Sequence, residues 1–168
     1  MRLWTIQPQE MYESLQQNGI VHCDPSRSSG LTEMNFQSAY DWMCEQMRQK
    51  IGPPPEQVTY PIWAWHTLDW KHQKPDLRRT EFCWQPEHSV CLELEIPEEQ
   101  VLLSDEERWH FVLNNWYLTN ATNEADYNQA EAWFDGLSPE EQQNVRQQSW
   151  QHIFEKMATA IPPALDGG

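Results

Sequence analysis

VCLELEI, residues 90–96, is the stretch that decides the fold. Val90, Leu92, Leu94 and Ile96 alternate with Cys91, Glu93 and Glu95, the period of two that sends successive side chains to opposite faces of a strand. One face is expected to be core and the other polar. Toward the N-terminus, Leu3–Ile6 reads as a short strand running into Pro8, which suits the first turn of a helix through Met11, Tyr12 and Leu15. That helix should stop at Asn18-Gly19, because both residues tolerate the left-handed backbone. Ile20–Cys23 reads as a second short strand, followed by a polar turn or loop from Asp24-Pro25 through SRSSG.

A longer helix is expected from near Thr32, with Phe36, Tyr40, Met43, Met47 and Ile51 recurring every three or four residues. It ends before Gly52 and the prolines at 53–55, which cannot donate the intrahelical hydrogen bond. Tyr60–Thr67 is an extended run, with Trp63, Trp65 and Thr67 on one face and Tyr60, Ile62, Ala64 and His66 on the other. Val101–Leu103 is a possible further strand. Ser104 with Glu107 has the form of a capping box opening a helix whose stripe is Trp109, Val112, Leu113, Trp116 and Tyr117. A shorter helix spans about Ala125–Phe134. Ser138, Pro139 and Glu141 form a second capping box, opening a helix whose inner stripe holds Val145, Ile153, Phe154 and Met157. Without regular βαβ alternation, the fold class is α+β, with a small, mostly antiparallel sheet and several packed helices. We expect a single globular domain over residues 1–160 and a loose tail at 161–168.

The 168 residues suffice to bury a core without covalent staples, and ten tryptophans argue for an ordered chain. The start of the chain lacks the apolar segment of a secretory signal, and no apolar run approaches the length that spans a bilayer. The expected location is therefore the cytoplasm, where the cysteines at 23, 44, 83 and 91 stay reduced. His22-Cys23, and Cys83 with His88 and Cys91, carry metal-binding atoms without the paired spacing of a zinc site, so no metal is expected. A formal charge of -15 repels nucleic acid and anionic lipid, which excludes a broad nucleic-acid-binding face.

Against that charge stands YPIWAWHTLDWKHQKPDLRR at 60–79. Four of the eleven basic residues, Lys71, Lys74, Arg78 and Arg79, fall there beside His66, His72, Trp63, Trp65 and Trp70. Trp63 and Trp65 could stack a purine or nicotinamide ring, at about 1–3 kcal/mol for each base in nucleic-acid systems. Lys71, Lys74 and Arg78 could hold a pyrophosphate, and His66 lies between the two groups. The blander readings are core packing for the tryptophans and a hydrated surface loop for the charges. Glu93 and Glu95 project to one side and could stabilise an oxocarbenium-like centre, or simply form the wet face of a half-buried strand.

The blocks LWTIQ at 3–7, AYDWM at 39–43, IGPPP at 51–55, YPIWAW at 60–65, KPDLR at 74–78 and VLLSDEERWHFVLNNWYL at 101–118 together resemble a bacterial and phage-associated family known only as domain of unknown function 3841, over nearly the whole chain to about Phe154. That resemblance implies no activity. In layout, the first strand, a helix ending at Gly19 and an acidic strand before VLLSD also resemble NAD-dependent ADP-ribosyltransferase domains. This second resemblance implies NAD as cofactor, Thr5 and Gln7 as ligand-facing groups on the first strand, and Glu93-Leu94-Glu95 as a Glu-x-Glu element. The chain departs from that superfamily in lacking Ser-Thr-Ser and His-Tyr-Glu patterns. Two classes of function are therefore carried forward. One is an NAD-binding or NAD-using protein acting on a nucleotide-like small molecule, with Glu93 and Glu95 catalytic and Thr5, Gln7, Trp63, Trp65, His66, Lys71, Lys74 and Arg78 binding the cofactor. The other is an acidic, non-enzymatic inhibitor or interaction protein, nucleic-acid-mimic-like, that occupies a basic partner.

Overall fold

Near the N-terminus, Leu3, Thr5 and Gln7 alternate with Arg2, Trp4 and Ile6. In the computed structural model, which describes residues 1–82 and 88–155, this segment is strand β1 (Arg2–Pro8). It pairs antiparallel with β2 (Ser89–Glu95), in a register that sets Arg2 opposite Glu95, Trp4 opposite Glu93 and Ile6 opposite Cys91. Among the described residues these two strands form the sheet, accompanied by six α-helices, so the α+β class with a small antiparallel sheet holds. Leu3, Trp4 and Thr5 are all buried, so both faces of β1 are covered. Burying a side chain such as Leu3 is worth about 1.5–3 kcal/mol. The apolar face of β2, Val90, Leu92 and Leu94, is half-buried.

By chain contacts the fold divides into two compact units, Met1–Leu103 and Ser104 onward. In the first, Pro8 ends β1 and stands just before α1 (Gln9–Asn18) rather than in its first turn, and Gly19 ends the helix at φ 72°, its N–H donating to the Leu15 carbonyl at 2.8 Å. Residues 20–23 form no strand, and Ile20 is 72% exposed, so the local β pattern finds no partner to pair with. The expected polar turn contains a short 3₁₀ turn (Pro25–Arg27), capped by the Asp24 carboxylate on the Ser26 N–H, and runs into α2 (Ser29–Thr32). The long helix α3 (Gln37–Lys50) starts five residues later than its periodicity suggests. Asn35 at φ 57° breaks the chain between α2 and α3. Ala39, Met43 and Gln46 form the buried stripe of α3.

In the second unit Asp105, not Ser104, caps α4 (Glu106–Leu113) through its carboxylate on the Arg108 N–H. Val101–Leu103 is not a strand. The helix ends at Leu113 because Asn114 closes it and Asn115 turns to φ 54°, which places Trp116 and Tyr117 beyond the helix rather than on its stripe. Helix α5 (Glu124–Asp135) is capped by Asn123, and α6 (Pro139–Ser149) opens with the expected capping box of Ser138 and Glu141. The chain then tightens into a 3₁₀ turn (Trp150–Phe154), carrying Ile153 at 1% exposure, and the Ile153 carbonyl accepts the Asp105 N–H at 2.8 Å. Cys83, Met157 and the tail at 161–168 lie outside the described residues. No helix among the described residues is long and apolar enough to cross a membrane.

Candidate functional site

The Tyr60–Thr67 run does not become a regular strand. Only Trp65 bridges β1, exchanging two backbone hydrogen bonds with Trp4 at 3.0 and 2.6 Å. Because β2 occupies the other edge of β1, the aromatic run and the Glu-x-Glu strand lie on opposite sides of Trp4. The Trp4 side chain reconnects them. Its Nε1–H donates to Glu93 Oε2 at 3.0 Å, and its ring lies 5.0 Å from that of His72, which in turn lies 4.5 Å from His66. Burial and the neighbouring His72 push the His66 imidazole below its ordinary pKa, with the N-terminal ammonium adding to the effect and Glu98 opposing it.

Arg2 reaches both candidate carboxylates, Glu93 at 3.3 Å and Glu95 at 3.4 Å, as cross-strand neighbours on one face should. Thr5 is 2% exposed; its hydroxyl donates to the Trp63 carbonyl and accepts from the Gln7 side-chain amide, both at 2.7 Å. Thr5 and Gln7 therefore tie the aromatic run to β1, with Thr5 buried and Gln7 half-buried. Trp63 packs edge-on against Tyr40 and Trp65 edge-on against Phe82, so the two indoles stand against different neighbours.

The two arginines of the basic segment are matched by nearby carboxylates, and its two lysines, among the described residues, are not. Arg78 lays its fork on Asp76, with hydrogen bonds of 2.8 and 2.7 Å, and holds that carboxyl down to about 2. Arg79 takes Asp69 at 2.6 Å and Glu81 at 2.7 Å. Lys71 and Lys74 are exposed and make no ion pair among the described residues. Between Leu68 and Lys71, whose backbones exchange two hydrogen bonds of 2.9 Å, Asp69 and Trp70 both take positive φ, 49° and 62°. That is the geometry of a tight hairpin turn. It is unusual for a residue as bulky as Trp70, which is 71% exposed at the tip.

A second constellation lies wholly in the second unit. Phe111, Trp116, Tyr117, Tyr127, Glu131 and Asp135 border an open groove of about 290 Å³, with Arg146 also on its lining. Helix α5 contributes Tyr127, Glu131 and Asp135, four residues apart and so on one face. Tyr117 stacks on Phe134, with ring centroids 4.5 Å apart and planes 4° from parallel. Burial and the nearby Glu131 carboxylate raise the Tyr117 phenol. Arg146 sits over Phe134 at 5.5 Å, donates to Gln143, and keeps its buried Nε without a hydrogen-bond partner. The sequence reading missed this groove by placing Trp116 and Tyr117 on a helix stripe. Asn114-Asn115 was the available signal, since adjacent asparagines favour a helix stop.

The chain belongs to the family described as domain of unknown function (DUF3841), which it matches over residues 2–162. No curated protein and no solved structure matches it.

Proposed function

We propose that this protein acts as an acidic, non-enzymatic interaction protein that holds a basic partner. One observation carries the reading: the arginines of the basic segment close on Asp76, Asp69 and Glu81, while the formal charge of -15 stands. An anion meets far less free positive charge at this segment than its sequence suggests. Meanwhile Glu98, Glu99, Glu106, Glu107, Glu124, Asp126, Glu140 and Glu141 are all exposed, most of them in the first turns of helices. A field of one sign steers a basic partner into encounter and repels acidic competitors. The test is calorimetric titration with an oligolysine peptide at about 0.15 M salt, where exposed charges more than about 8 Å apart are largely screened. A saturable one-to-one complex that the glutamine analogue of the peptide does not form is expected. Absence of saturable binding at that salt concentration overturns the reading.

A second reading, NAD-linked ribosyl chemistry, is favoured by the contacts of Trp4, which bring Glu93, His72 and His66 into one cluster. In it Glu93 or Glu95 stabilises positive charge developing on the ribose, and Lys71 and Lys74 meet the pyrophosphate. Nicotinamide release by the wild type, lost in Glu93→Gln or Glu95→Gln, supports this chemistry. A wild type that neither binds nor turns over NAD sinks it.

A further inference from the structure

The groove of the second unit combines three features that a hydrated surface does not require. Trp116, edge-on to Phe111, keeps 56% of its surface exposed and Tyr127 keeps 45%, so two aromatic groups present surface to solvent on its rim. Glu131 is half-buried against Tyr117, yet neither it nor Asp135 makes an ion pair among the described residues. Finally, the groove lining already holds one cation by a ring: Arg146 rests on Phe134 and takes a neutral glutamine rather than either carboxylate. Two carboxylates are left unspent beside aromatic rings.

We propose that this groove receives a lysine or arginine side chain of a basic peptide segment, a refinement that rests on the first reading above. The cationic head lies against the Trp116 and Tyr127 rings, whose quadrupoles attract it, and beside Glu131 and Asp135. The charge around it agrees. From Ser104 onward the chain has eleven acidic residues against three basic ones. At about 290 Å³ the groove falls just below the usual range for ligand sites, roughly 300–1,000 Å³, which suits a single side chain better than a dinucleotide. The two carboxylates on its lining disfavour phosphates and purely apolar ligands, and Arg146 at the Phe134 side leaves the Trp116 and Tyr127 side for the incoming charge.

Two probes separate this inference from the broader one. The first is a glycine-serine peptide with one central lysine and blocked ends, followed by the indole N–H resonances. Trp116 is expected to shift on titration while Trp70, even more exposed at 71%, does not. The second is oligolysine binding to variants. Glu131→Gln with Asp135→Asn is expected to weaken it about tenfold, Tyr127→Leu roughly three- to tenfold, and Tyr127→Phe hardly at all, since the ring face is retained. Melting temperatures within a few degrees of wild type certify that the variants fold. If the Trp116 resonance moves no more than that of Trp70, or the double variant binds as wild type does, the groove is not the receiving site, although the acidic-partner reading stands as long as wild type binds oligolysine. If wild type fails to bind oligolysine at all, both fall together.

Discussion

The two aromatic surfaces of this protein solve the same electrostatic problem in opposite ways. In the first unit, Arg78 and Arg79 are matched locally by Asp76, Asp69 and Glu81, and Trp65 is half-buried edge-on to Phe82, while Trp63 keeps 38% exposure beside Tyr40. In the second, Trp116 and Tyr127 remain open and Glu131 and Asp135 have no cation beside them among the described residues. A cluster of charged and aromatic letters therefore says little about binding until its internal pairing is known. The segment richest in binding residue types closes its arginines internally but leaves Lys71, Lys74 and Trp70 open, and the plainer one leaves its carboxylates open.

The largest blow to this contrast falls on the support of the second unit. Ile153→Ala removes a fully buried side chain from the turn that accepts the α4 cap, and should cost about 2–5 kcal/mol. Urea denaturation followed by circular dichroism measures it; a loss under about 1 kcal/mol would mean that this turn carries little of the unit. Next is Thr5→Val in the first unit, which strips the buried hydroxyl from the Trp63 carbonyl and the Gln7 amide while keeping the shape. A cost of about 1–3 kcal/mol marks a structural tie, whereas an unchanged melt with weakened NAD binding would return Thr5 to a ligand-facing role.

A smaller effect comes from pH. The folded state holds His66 below its ordinary value of 6.5, so the unfolded chain binds the proton more readily. Its contribution to stability is full above about 6.5 and is lost as the pH falls through the depressed folded value. Melts at pH 7.5 and 5.5 should therefore differ more for wild type than for His66→Gln, and equal differences would remove the His66–His72 pair as the cause. The smallest expected change is in stability on Asp76→Asn, since this pair lies at the surface, with Arg78 almost wholly exposed. The same substitution frees the Arg78 fork, so chemical-shift titration with inorganic phosphate should show tighter binding near residue 78. No gain would mean that the arginine was not held back by Asp76.

Much of the fold was legible because its signals are local. Alternation over residues 90–96 fixed β2, Asn18-Gly19 fixed the end of α1, the Gly52-Pro53 stop fixed that of α3, and Ser138-Pro139 with Glu141 fixed the start of α6. Each depends on a backbone preference or on a hydrogen bond spanning a few residues, which a sequence window contains. Ile20–Cys23 failed for the complementary reason: a strand requires a partner, and β propensity cannot supply one. The extent of α4 was misjudged because its apolar period continues past Asn114-Asn115, where backbone conformation overrides the pattern.

The candidate site was legible in residue type and not in connection. Sequence alone placed Glu93 and Glu95 on one strand face and gathered the lysines and arginines into one segment. It took the folded chain to show that Arg2, 91 residues away along the chain from Glu93, reaches both glutamates, that Trp4 joins Glu93 to the histidines, and that Asp69 and Glu81 close on Arg79. The physical reason is range. Propensity and capping act within a turn or two of chain, whereas charge pairing and ring packing depend on distance in space, which is set only when strand register and loop geometry are fixed.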